Sequence, residues 1–176
     1  SIPGLEKAVA FTEKGRALGL GVCGWHTYLM QRGIPFESLE AQWLNSEIFM
    51  KMQQDSEEAS FSMAYELGVP EWCQIVEGIP KRNTHLMAIA PTKSTALIMG
   101  GVSEGINPVP ALVYTQNTSA GEIQRIDPTF LAFLKQRGLH DQKHLDEVEQ
   151  EFGSCQHVSW MTDEEKLVFR NAFEID

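Results

Sequence analysis

His85-Leu86-Met87-Ala88-Ile89-Ala90-Pro91-Thr92-Lys93-Ser94-Thr95-Ala96-Leu97-Ile98 is the stretch on which the reading of this chain turns. Its first six residues make an apolar, strand-like run that stops at a proline. The hydroxyl-rich residues after the proline open a helix. A strand ending where a helix begins points unpaired backbone N–H groups, the positive end of the helix dipole and three hydroxyls at one spot. Such a spot suits an anion, a phosphate above all, and Lys93 adds a full positive charge. A plainer reading stays open beside it, in which Thr92 or Ser94 simply caps a helix.

Composition bounds what surrounds that stretch. The chain has 176 residues, room for one domain with a sizeable core. Its 43% hydrophobic and 22% charged content is that of an ordinary globular protein. A net charge of −10 argues against a nonspecific grip on nucleic acid, although one basic pocket can still hold a small anion. No apolar run approaches the roughly 18 residues of a membrane span, and the start, Ser1-Ile2-Pro3-Gly4, lacks the pattern of a signal peptide. Cys23, Cys73 and Cys155 are odd in number and far apart, which points to reduced thiols in the cytoplasm.

Outward from the central stretch, the first part of the chain (1–70) reads as helical. A helix is expected over residues 5–16 and a glycine-dotted second one over 19–30. Pro35 leads into a long helix to about Leu67, ended by Gly68 and Pro70. In it Leu39, Trp43, Leu44, Ile48, Met52, Ala59 and Met63 recur at three- and four-residue steps, a buried stripe that needs a partner surface. The second part (71–176) is strand, loop and helix. Residues 85–90 and 111–115 are strand candidates, with a turn-rich loop over 100–108 between them. Asp127-Pro128 starts a helix, and Thr162-Asp163-Glu164-Glu165 is a capping box before a last helix over 166–173. Helices alternate with few strands, so the class is α/β with an excess of helix, in a single segment spanning 1–176.

Several motifs invite a functional reading and do not support one. Gly19-Leu20-Gly21-Val22-Cys23-Gly24 has the spacing of a dinucleotide-binding loop, but it follows the charged Glu13-Lys14-Gly15-Arg16 instead of a buried strand. Such glycines more often let another element approach closely. Cys23 and His26 share a helical face, and His140 and His144 lie near Cys155, yet neither set has a metal-site spacing. These histidines are expected at the solvent-exposed surface, with no metal. Glu57 and Glu58 belong to the charged face of the long helix, and Trp25, Trp43, Trp72 and Trp160 read as core or packing residues.

The block from Arg82-Asn83-Thr84-His85 through Pro91-Thr92-Lys93-Ser94-Thr95, followed by Gly101-Val102-Ser103-Glu104-Gly105-Ile106-Asn107-Pro108, closely resembles the large, catalytic subunit of class I ribonucleotide reductase. Ile2-Pro3-Gly4-Leu5-Glu6-Lys7-Ala8, Gly15-Arg16-Ala17-Leu18-Gly19-Leu20-Gly21-Val22-Cys23-Gly24-Trp25-His26 and the ending Phe169-Arg170-Asn171-Ala172-Phe173-Glu174-Ile175-Asp176 resemble the same family, so the likeness covers essentially the whole chain. It implies a segment of a ten-stranded α/β barrel in which a cysteine radical removes the ribose 3′ hydrogen. It also implies that Thr92, Lys93, Ser94 and Thr95 bind the diphosphate of a ribonucleoside diphosphate through amides and hydroxyls. Two positions depart from the pattern: Lys93 stands where many relatives carry Ala or Glu, and Asn107 where many carry Glu.

The resemblance also marks what is missing. The family's radical cysteine lies in an Asn-x-Cys-x-Glu loop, which this sequence lacks, and its redox cysteines and relay tyrosine pair fall outside the matched region. Cys23, Cys73 and Cys155 match none of those positions, so no catalytic residue is expected here. No cofactor is expected in the chain itself. The whole enzyme would depend on a radical-generating small subunit, a dithiol reductant, the remainder of the large subunit and a large-subunit homodimer. The expectation is a piece excised from a longer subunit, or one product of a split gene, inactive alone. The competing classes are a non-catalytic phosphate- or nucleotide-binding domain and a structural interaction module.

Overall fold

The computed structural model describes residues 3–73, 78–119 and 121–175. Ile2 and Asp176, which open and close the blocks quoted above, lie outside them. The chain divides into two compact units, one of residues 1–21 and 44–90 and the other of 22–43 and 91–176.

In the first unit α1 (Glu6–Gly15) forms as expected and ends at Arg16 in a left-handed conformation, φ 46°. The backbone then runs extended. Leu18 N donates to His85 O at 2.9 Å, Leu20 N to Leu86 O at 2.9 Å and Ala88 N to Leu20 O at 3.0 Å, and Leu20 and Met87 form a parallel bridge. The helix expected from residue 19 is therefore absent up to Gly24. Its glycines serve the pairing instead: a Cβ on Gly21 would lie 2.5 Å from the Ala88 carbonyl oxygen, and one on Gly19 3.0 Å from Ala88 Cβ. The strand expected over 85–90 is reduced to that bridge. The close approach the glycines suggested is real, with a strand spacing in place of a helical one.

Helix α3 (Leu39–Leu67) runs 29 residues, and its residues from Leu44 onward belong to the first unit. At its end Arg82 Nη1 donates to the carbonyls of Leu67 and Gly68 at 2.8 and 2.7 Å, satisfying orphan acceptors of the last turn. Buried Ser60 ties the helix to residues 82–83: its Oγ donates to Asn83 Oδ1 and accepts from Arg82 N and Asn83 N, while Asn83 Nδ2 donates to Arg16 O. The stripe expected to be buried is not. Leu39 and Trp43 are 82% and 57% exposed, Ala59 is exposed, and Leu44, Ile48, Met52 and Met63 are half-buried. The described residues cover that stripe only in part, and the face of α3 they bury fully is that of Ser60 and Ala64.

The second unit contains α2 (Trp25–Gln31), α4 (Lys93–Ile98), a hairpin of β1 (Val113–Thr118) and β2 (Gly121–Ile126), α5 (Pro128–Arg137), α6 (Gln142–Gln150) and α7 (Asp163–Val168). The hairpin is antiparallel with Val113 opposite Ile126. Its second strand and α6 were not foreseen from the sequence. Asp127 caps α5 by accepting from Thr129 N and Phe130 N, and the Thr162–Glu165 capping box opens α7, both as expected. The last helix is shorter than 166–173, because Asn171 Oδ1 accepts from Phe173 N while Ala172 N donates to Val109 O, which turns the chain out of the helix. Leu112, Val113, Phe130, Leu134, Val148 and Val158, each wholly buried, centre the core. Among the described residues the sheet has two strands, so the ten-stranded barrel is not displayed by this chain.

Candidate functional site

Thr92 stands at the N-cap of α4 and adopts the left-handed region, φ 51°, ψ 25°, without a side-chain capping bond. A β-branched residue rarely takes that conformation, so something else must hold it. Its hydroxyl is engaged elsewhere: Oγ1 accepts from Gly105 N at 2.8 Å and donates to Cys23 Sγ at 3.3 Å. Its carbonyl accepts from Ala96 N at 2.8 Å, the first intrahelical bond. The amides of Lys93, Ser94 and Thr95 precede that bond and find no acceptor among the described residues. All three residues are exposed. The simple capping reading of Thr92 is thus replaced by a first turn whose three N–H groups meet no acceptor among the described residues.

The side chains divide. Ser94 and Thr95 are exposed. Lys93 lines a pocket of about 340 Å³ together with Ala96, Leu97, Glu104, Tyr114 and Arg125. Asn107 is an exposed turn residue whose amide donates to Glu104 O at 2.9 Å.

Cys23 and His26 also belong to this neighbourhood, and neither behaves as the sequence suggested. Cys23 precedes α2 instead of riding on it, half-buried, with Sγ donating to Ser103 O at 3.7 Å. His26 is wholly buried, not exposed. Its Nδ1 accepts from Val109 N at 3.0 Å, its ring meets Phe36 edge-on at 5.4 Å, and burial lowers its pKa to about 4. His144 is half-buried against Trp160 and bonded to Asp141, whereas His140 is exposed. Trp25 is buried and Trp160 half-buried, but Trp43 and Trp72 are exposed, Trp72 packing edge-on against Phe11. Among the described residues no group of three or more His, Cys, Asp or Glu could hold a metal ion.

Sequence reasoning missed Ser103, Thr27 and Gly105. Ser103 and Gly105 lay within the quoted 101–108 block but read only as turn residues. Thr27 sits in a helix with no visible motif.

The family can be stated outright. The ribonucleotide reductase barrel-domain family matches residues 3–74 and 69–176, and the chain belongs to that family. It is 34% identical over 180 residues to the ribonucleoside-diphosphate reductase large subunit of Invertebrate iridescent virus 6, covering 99% of this chain and 18% of that protein. It is 32% identical over 177 residues to the vitamin B12-dependent ribonucleoside-diphosphate reductase of Thermoplasma acidophilum, covering 98% of this chain and 23% of that protein. The structure superposes with a TM-score of 0.81 and 37% identity on the Actinobacillus ureae class Id ribonucleotide reductase alpha subunit, over 97% of this chain and 30% of that one. The chain therefore spans less than a third of each of these relatives.

Proposed function

We propose that this chain is the part of a class I ribonucleoside-diphosphate reductase large subunit that holds the substrate's diphosphate. The carrying observation is the first turn of α4. Three amides, on the exposed residues Lys93, Ser94 and Thr95, meet no acceptor among the described residues, and they lie in the very segment, Pro91 to Thr95, by which the sequence resembles the family. An oxyanion there meets amide donors, the positive helix end and the hydroxyls of Ser94 and Thr95. Lys93 adds attraction through its charge, while Thr92 contributes through its conformation, its hydroxyl being engaged by Gly105 and Cys23.

On this reading the substrate is a ribonucleoside diphosphate reduced to its deoxy form for DNA synthesis, and the chemistry itself lies outside the chain. The three cysteines are free and separately placed; Cys155 is wholly buried with its thiol pushed up to about 12, mainly by burial, and burial also raises Cys73. Neither Cys73 nor Cys155 is a thiolate poised for exchange with a dithiol. The reducing cysteines, the radical cysteine, the radical-generating small subunit, the dithiol reductant and the partner of a large-subunit homodimer would come from outside these residues. Free thiols accord with a cytoplasmic enzyme, and no described helix is long and apolar enough to cross a membrane.

Charge-assisted hydrogen bonds contribute roughly 1.5–3 kcal/mol each in a dry site and less in an open one. Pyrophosphate should therefore bind the 176-residue chain with a Kd of about 1 mM, near −4 kcal/mol. In a backbone-amide titration the largest shifts should fall on Lys93, Ser94 and Thr95. Ser94→Pro should abolish binding by removing one donor, and Lys93→Ala should weaken it and flatten its salt dependence. Largest shifts elsewhere would overturn the assignment.

A further inference from the structure

Helix α2 has an N-terminus of its own, and the protein fills it. Trp25 N donates to Gly105 O at 3.2 Å, and Gly24 N to Ser103 O at 2.9 Å. Thr27 N donates to Ser103 Oγ at 3.1 Å, and Ser103 N returns a bond to Thr27 Oγ1 at 2.8 Å. Ser103 thus engages the first turn of α2 through its amide, carbonyl and hydroxyl at once. Both residues are buried, Ser103 2% and Thr27 4% exposed, so every one of these groups would be left without water if its partner went. Two residues on, Gly105 N donates to the Thr92 hydroxyl, which donates in turn to Cys23 Sγ, and Cys23 Sγ donates back to Ser103 O. The circuit is closed, and it ends on the strained residue at the head of α4.

We infer that Ser103 and Thr27 are positioning residues for the anion cradle. Their reciprocal hydrogen bonds fix a strap of residues 103–105, the strap fixes Thr92 in its left-handed conformation, and Thr92 aims the amides of residues 93–95. What the cradle holds rests on the proposed function; the coupling of strap to cradle does not. Neither Ser103 nor Thr27 needs to touch the ligand.

The test uses the 176-residue chain, with amide exchange and chemical shifts read before any ligand is added. Ser103→Ala should speed exchange at the Gly105 amide about ten-fold, the scale of one buried hydrogen bond. It should displace the amide signals of residues 93–95 and weaken pyrophosphate binding by a similar factor. Thr27→Val, which removes the return acceptor alone, is the second route to the same readout should Ser103→Ala not fold. Thr27→Ser, which keeps the hydroxyl, should restore the unsubstituted behaviour. Ser60→Ala removes a wholly buried hydroxyl of the first unit and should lower stability without moving those signals. Unmoved signals at Gly105 and at residues 93–95 in Ser103→Ala and Thr27→Val, or equal movement in Ser60→Ala, would overturn the inference. If pyrophosphate shifts no amide of residues 93–95 in the unsubstituted chain, the proposed function fails, while the ligand-free signals still decide the strap.

Discussion

Acidifying the protein from pH 7 to below pH 5 should remove a large and assignable part of its stability through one residue, His26. The ring is wholly buried and edge-on to Phe36, and Nδ1 accepts from the Val109 amide. A proton on Nδ1 would face that N–H donor to donor. Nε2 has no hydrogen-bond partner among the described residues, and the nearby Val168 backbone offsets only part of the burial. The folded-state pKa falls from 6.5 to about 4 as a result. Because the folded value lies below the unfolded one, the stabilisation is fully present above pH 6.5 and is lost as pH falls toward 4. The difference of about 2.5 units is worth roughly 3 kcal/mol, a large share of the 5–15 kcal/mol by which domains are usually stable. The assay is urea unfolding across pH 7.5 to about 4.5, comparing the unsubstituted chain with His26→Asn. Asn keeps an acceptor near Nδ1 and does not titrate, so the carboxylates common to both proteins cancel in the difference. The two stability curves should converge by roughly 2.5 kcal/mol over that range. Parallel curves, or an imidazole resonance of His26 that titrates near its unfolded value in the folded chain, would refute the reasoning.

Two further substitutions probe the scaffold. Asp127→Ala removes the acceptor for Thr129 N and Phe130 N at a buried cap and should lower stability by about 1–2 kcal/mol in denaturant unfolding, with Asp127→Asn recovering most of it; an unchanged midpoint would count against the cap. Gly21→Ala would place a Cβ 2.5 Å from the Ala88 carbonyl oxygen and should lower stability by about 1–3 kcal/mol, with faster exchange at the Ala88 amide; full retention of that amide's protection would show that the pairing is looser than described.

The parts of the fold that were legible in the sequence are those whose partners lie within a few residues. Asp127 with Pro128, the Thr162–Glu165 box and Gly68 after Leu67 are local signals, and each appears where expected. Spacing misled where the partner was distant. Gly19 and Gly21 carry no local mark of the chain they face, so a strand passing against residue 88 read as the start of a helix. The apolar stripe of α3 shows the converse. A period of 3.6 residues announces that a face is meant to be covered, but says nothing about whether the cover lies in the same stretch of chain, and Leu39 and Trp43 remain exposed.

The candidate site divides along the same line. The amides of residues 93–95 are a property of any helix start, so Pro91 followed by hydroxyl residues was enough to place them. The role of Thr92 was not readable, because its hydroxyl could equally cap α4 or bond elsewhere, and only the position of Gly105, 13 residues away, decides. Ser103 and Thr27 are 76 residues apart, and their pairing has no signature in either neighbourhood. What distinguishes the N-termini of α2 and α4 is therefore occupancy and not sequence. Both present first-turn amides, but Ser103 and Gly105 take those of Trp25 and Thr27, while those of Lys93, Ser94 and Thr95 meet no acceptor among the described residues. The glycine-rich run before α2 has the spacing of a dinucleotide-binding loop, but the amides of Trp25 and Thr27 that follow it are already taken by Gly105 O and Ser103 Oγ.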